Sequence, residues 1–109
     1  MTHVQRAATL AAVASALVVS LAWADIAAPR RAALSNLLVQ DCGSCHGLTM
    51  RGGLGPALTP EALAGKPPVM LRDVILHGRP GTPMPPWQPF LTVEEAEWLV
   101  QVLINGLVP

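Results

Sequence analysis

Both cysteines of this chain and one of its three histidines stand in a single run, Cys42-Gly43-Ser44-Cys45-His46. Two thiols at this spacing can each add to one vinyl group of a haem, and a histidine immediately after them is placed under the iron, where its imidazole serves as an axial ligand. Three other readings compete. A thioredoxin-like redox pair needs a βαβ setting, and the flanks here read as helix and glycine-rich loop. A structural zinc site needs four ligands; this run supplies three, with only His77 as a distant fourth. Chance occurrence is the last. Haem attachment is the reading that the compartment and the downstream residues support.

An axial histidine leaves the opposite face of the iron open. The candidates for it are Met50, Met70, Met84 and His77. Met84 lies in Pro83-Met84-Pro85-Pro86. A thioether is a weak donor that raises the potential, and prolines on both sides make its backbone rigid. Core filling is the ordinary role of a methionine, but this loop has no helical face to bury. Met70 sits on an apolar stripe and is expected in the core. Met50 is too near His46 in sequence to cross the ring easily. His77 is the rival, at a helix C-terminus where the dipole alone accounts for an imidazole.

The elements that position these groups follow from punctuation and periodicity. Ala32 to Gln40 is expected as a first helix, with Ala33, Leu34, Leu37 and Leu38 at helical spacing and Pro29 just upstream. It runs into Cys42. Gly47 to Leu58 is a glycine-rich loop. Thr59 caps a short helix that begins at Pro60 and stops at Gly65. Pro67-Pro68 opens a helix to His77, with Gly78 as its cap; Val69, Met70, Val74 and Ile75 form its expected buried side, and Arg72 and Asp73 face water. Pro80 to Pro89 holds five of the eleven prolines and reads as a stiff loop. Thr92 and Glu95 form a capping box. The last helix follows with Ala96, Leu99, Val100 and Leu103 as its apolar stripe, ending at Gly106. No alternating strand pattern, repeat or second domain appears.

Met1 to Ala24 reads as a secretory leader: Arg6, an apolar run from Leu10 to Leu21, and an Ala22-Trp23-Ala24 cleavage site. The run is shorter than the ~18 residues that suggest a spanning helix. The uncleaved-anchor alternative is weaker, and no stable membrane insertion is expected after cleavage. A 109-residue precursor losing 24 residues leaves one domain, residues 25–109. Such a chain struggles to bury enough apolar surface alone. One Phe and no Tyr leave its core without bulky aromatics, and a bound haem would supply the missing centre. The precursor carries seven basic and seven acidic residues. Losing Arg6 leaves the mature chain at net −1, which argues against nucleic acid. No Ser-His-Asp set or phosphate loop is present, so hydrolase and kinase readings have no support.

With Cys42, Cys45, His46, Gly55-Pro56 and Met84 in this order, the chain resembles the small class I monohaem cytochromes c over essentially all of its mature length. That resemblance implies an all-α fold wrapped around one covalently bound haem c. It implies that the Pro56 carbonyl accepts from the ring N–H of His46 and strengthens its donation. It also implies that the first and last helices, here Ala32–Gln40 and Val93–Asn105, cross beside the haem, with Leu38 near Leu99 or Trp98. The family's small and aromatic residues on the first helix are replaced by Leu34 and Leu38. The runs Gly52-Gly53-Leu54-Gly55-Pro56-Ala57-Leu58 and Gly78-Arg79-Pro80-Gly81-Thr82-Pro83-Met84-Pro85-Pro86-Trp87 are more specific. They resemble the c55X-type cytochromes encoded with dissimilatory nitrite reductase.

The resemblance implies a periplasmic one-electron carrier in denitrification, not an enzyme. Its implied partner is cytochrome cd1 nitrite reductase, through electron donation or help in forming the d1 haem. Leu48, Leu54 and Pro86 are contact candidates at the haem edge, against ordinary surface apolarity. Trp87, Arg51, Lys66 and Arg79 are candidates to bond haem propionates, although solvation or packing explains each singly. Trp98 is expected to pack between helices. The rivals are a generic carrier for another oxidase or reductase, a sensor or enzyme with an open iron site, and a module that handles metal or haem reversibly.

Overall fold

The computed structural model describes residues 26–109; the expected leader, Met1 to Ala24, and its expected cleavage point lie outside the described residues. Those residues form helices and loops with no strand among them. None of the described helices is long and apolar enough to cross a membrane.

Helix α1 spans Ala28–Leu37, four residues earlier than the apolar spacing indicates. Pro29 sits in its first turn, where its fixed φ suits helix entry and its missing N–H costs nothing. The helix therefore starts ahead of its buried stripe. Ala33 is exposed, whereas Leu34 and Leu38 are buried. The chain does not leave the helix at Gln40. It widens into a π-helical segment, Leu38–Cys42, and then tightens again as α2, Gly43–His46. The Gly43 N–H reaches back five residues to the Leu38 carbonyl. This added residue changes the angular phase of everything after it, which is why a strict 3.6 period fails there.

Thr59 caps α3, Pro60–Leu63, its hydroxyl accepting from the Ala62 N–H at 3.2 Å. The helix stops at Leu63 because Ala64 is already extended, before Gly65 is reached. Helix α4 spans Pro68–His77 and ends on Gly78, whose N–H bonds the Val74 carbonyl. Helix α5 spans Val93–Ile104, one residue short of the expected Asn105, which acts as its C-cap. Both halves of its capping box form: Glu95 N donates to Thr92 Oγ1 at 3.1 Å, and Thr92 N donates to Glu95 Oε1 at 2.9 Å.

Helix α5 is the centre of the packing and touches α1, α3 and α4. Ala96, Leu99, Val102 and Leu103 share a core with Leu34, Leu38, Leu63 and Leu76, with Trp98 packed against it. Full burial of each such leucine contributes about 1.5–3 kcal/mol. The first and last helices are also joined by charge, because Arg30 Nε donates to the Glu95 carboxylate and Arg30 Nη2 to the Phe90 carbonyl at 3.0 Å.

The expected inner face of α4 is corrected. Val69 is 59% exposed and Met70 42% exposed, while Leu76 is buried and Ile75, as expected, packs half-buried against the core with Leu71. Apolar residues run around most of this helix, so periodicity does not choose a side. Burial of Leu76 in the core shared with α5 does, and Arg72, expected in water, is half-buried beside it and donates to Glu97 on α5 at 2.9 Å and to Asp73 at 3.0 Å. With Leu76 and Arg72 turned toward α5, Met70, Val74 and His77 line an open groove with Pro67, Val69, Asp73 and Gly78.

Candidate haem site

Cys42 and Cys45 stand one helical turn apart at the join of the π segment and α2, so their side chains share a face. Both are half-buried and free. Burial, reinforced by Asp41, pushes the Cys42 thiol up to about 11. It is therefore a neutral thiol at pH 7 and lacks the thiolate character of a redox-active pair. Among the described residues no three His, Cys, Asp or Glu side chains group to hold a metal ion, and the zinc reading finds no fourth ligand.

His46 ends α2, and the following loop folds back over it. Gly52 N donates to the His46 carbonyl at 2.8 Å and Gly55 N to the Cys45 carbonyl at 2.8 Å. These bonds satisfy two carbonyls that a helix end leaves open. They bring the Pro56 carbonyl to 2.7 Å from His46 Nδ1. A carbonyl can only accept, so Nδ1 carries the proton and Nε2 keeps its lone pair. Gly55 lies flat against the same ring. A Cβ there would stand 2.8 Å from His46 Cε1 and 2.9 Å from Nδ1, closer than real atoms approach.

Met84 is half-buried in the proline-rich segment, which is fastened to the end of α4. Trp87 N donates to the Ile75 carbonyl at 3.0 Å, Gln88 N to Leu76 at 3.1 Å, and Arg79 N to the Met84 carbonyl at 3.1 Å. Gly78 is needed for this closure. Its φ is +68°, and a Cβ on it would stand 2.7 Å from the Met84 carbonyl oxygen. The sequence marks Gly78 only as a helix cap; its close approach to Met84 depends on a fold that spacing alone does not reveal.

The other candidates separate. Met50 is buried at 1% exposure with φ +59°, its methyl near Gly43, so it fills the core beneath the motif. Met70 and His77 line the groove that Gly78 also borders. Arg51, Lys66 and Arg79 are exposed and make no ion pair among the described residues. Trp87 is half-buried, its ring 5.9 Å from that of Phe90. Leu48 and Leu54 are 64% and 93% exposed, and Pro86 is also exposed. Free paired thiols, an imidazole with one nitrogen committed and the other available, and uncovered apolar side chains fit a haem c.

Comparison with known proteins agrees with this geometry. Residues 29–102 match the family described as cytochrome c oxidase, cbb3-type, subunit III. Cytochrome c55X of Stutzerimonas stutzeri is 56% identical over 96 residues, covering 87% of this chain and 85% of that protein. Cytochrome c55X of Pseudomonas aeruginosa is 62% identical over 79 residues, covering 72% of this chain and 66% of that protein. The chain belongs to the cytochrome c55X family. A solved structure of a c-type cytochrome NirC is 60% identical to this cytochrome, with a TM-score of 0.74 over 76% of this chain and 99% of that one. The all-α cytochrome c fold is thereby shown. A further resemblance, 43% identical with a TM-score of 0.59, is to dihydro-haem d1 dehydrogenase NirN in complex with DHE; it covers 63% of this chain but only 15% of that one.

Proposed function

We propose that this c55X-family cytochrome is a periplasmic one-electron carrier holding a single covalent haem c. The observation that carries this is the 2.7 Å contact between His46 Nδ1 and the Pro56 carbonyl, directly after two free cysteines of a C-x-x-C-H run. In this reading Cys42 and Cys45 would hold the haem through their sulfurs, and His46 Nε2 and Met84 Sδ would ligate its iron. Haem c, when bound, supplies a one-electron ferric/ferrous couple.

The chain's own residues set how that couple is used. Pro56 fixes the tautomer and orientation of His46 and makes Nε2 a better donor. Gly55 admits the ring without a collision. Prolines around Met84 restrict the backbone of a weak ligand. With His46 and Met84 both committed to the haem iron, this chain would offer no substrate site, and the haem would supply one-electron exchange between a donor and an acceptor. Leu48, Leu54 and Pro86 offer an apolar contact for a brief encounter; such redox encounters bury little area. The leader Met1–Ala24 delivers the chain to the periplasm, and the mature domain begins at Asp25.

The partner is cytochrome cd1 nitrite reductase, as electron acceptor. Mixing the reduced cytochrome with that enzyme and nitrite tests this: oxidation at a rate sufficient for turnover is expected. A second reading is service in d1 haem formation, and a particular likeness favours it. Dihydro-haem d1 dehydrogenase of Pseudomonas aeruginosa contains a stretch 43% identical to 67 residues of this chain. Failure of electron transfer, together with incomplete d1 haem in cells lacking the cytochrome, would select that reading. Failure of both would leave a generic carrier.

A further inference from the structure

Met84 closes a six-residue ring that starts at Arg79. The Arg79 N–H donates to the Met84 carbonyl at 3.1 Å, and Thr82 N donates to the Arg79 carbonyl at 3.1 Å. The Thr82 hydroxyl completes the ring from inside. It donates to the Arg79 carbonyl at 2.6 Å and accepts from the Met84 N–H at 3.3 Å. Both backbone polar groups of Met84 are thus committed within one small loop, and the loop rests on Gly78. Thr82 itself is exposed. Core packing therefore does not require its side chain, and the hydroxyl has no other partner among the described residues.

We infer that Thr82 is a positioning residue for Met84: its hydroxyl holds the Arg79–Met84 ring closed, and that closure sets how firmly the thioether competes for the iron. The inference rests on Met84 being the axial donor. A thioether is a weak ligand, so its hold depends on how much freedom its backbone loses on binding. Pro83 and Pro85 restrict φ on either side, but they supply no N–H with which to lock the ring. Thr82 supplies the missing polar tie. Without it Met84 N turns to water and the Arg79 carbonyl keeps only the Thr82 N–H, so the segment must be ordered anew each time the sulfur binds.

The test uses the haem-loaded ferric protein titrated with imidazole, a stronger nitrogen donor that displaces a thioether. The readout is loss of the weak near-infrared band of methionine-ligated ferric haem. Thr82→Val is expected to bind imidazole about three- to tenfold more tightly, the range of one lost hydrogen bond. Thr82→Ser, which keeps the hydroxyl, is expected to titrate like the parent. A Thr82→Val protein that titrates like the parent overturns the inference. So does loss of folded structure shared by Thr82→Val and Thr82→Ser, because the residue would then serve the fold. Met84→Ala separates the underlying assignment: a band absent from the parent, or surviving in Met84→Ala, removes Met84 from the iron whatever Thr82 does.

Discussion

At the scale of single residues, His46 is held by two neighbours of different visibility. The C-x-x-C-H run and the later Gly55-Pro56 pair are legible in sequence, and the 2.7 Å contact places Pro56 on the imidazole. Gly55 is not legible in the same way, since a glycine-rich loop offers many reasons for a glycine. Only the fold shows its α-carbon facing the ring. Gly55→Ala is expected to displace the imidazole and destabilise the haem-loaded protein by about 1–3 kcal/mol, the range of overpacking. Urea unfolding and the ferric haem spectrum measure both effects; an unchanged spectrum and midpoint would show that the ring tolerates a methyl there. The methionines divide similarly. Met84 stands out through its prolines. Met50, with a left-handed backbone and a buried side chain, gives no sign in sequence of its core position.

At the scale of elements, side-chain caps and the apolar stripe of α5 are read well, and the ends of α1 and the face of α4 are not. Thr59, Pro60, Gly78 and the Thr92–Glu95 box each act on local backbone chemistry, and each lies where expected. The inner side of α4 is set by long-range contacts, Leu76 in the core shared with α5 and Arg72 with Glu97, which no window of neighbouring residues contains. The π segment Leu38–Cys42 likewise has no local signal in the sequence. Two predictions belong here. Thr92→Ala removes one half of the capping box and is expected to cost about 1 kcal/mol in urea unfolding; a change within error would mean that α5 does not depend on its cap. The second concerns acid. The Arg30 guanidinium holds the Glu95 carboxyl below its ordinary value of 4.5, against the opposing effect of burial. A depressed folded-state value contributes stability above the unfolded value and loses it as pH falls through the folded value. Stability is therefore expected to fall below about pH 4, with a shallower slope in Glu95→Gln. Identical acid limbs would show that the pair contributes nothing.

At the scale of the whole molecule, several large apolar side chains stay uncovered. Leu54, Val69 and Met70 are exposed in a domain short of bulky aromatic residues, and small domains bury a modest share of their surface. The need for a cofactor was legible in composition. The exposure of Met70 was not, because it sits on what reads as a core stripe. The Cys42→Ala/Cys45→Ala double variant, unable to hold haem covalently, is expected to bind a hydrophobic dye and to lose its near-ultraviolet dichroism while keeping helix. A cooperative, dye-free fold in that variant would show that the protein core is sufficient alone.

The most direct measurement is a peptide mass spectrum of the exported protein. Trypsin cuts after Arg31 and Arg51 and releases residues 32–51, with both cysteines and His46 on one fragment. The account predicts that this fragment carries the mass of one haem and no free thiol. Recovery of the same fragment unmodified, with both thiols open to alkylation, would contradict it.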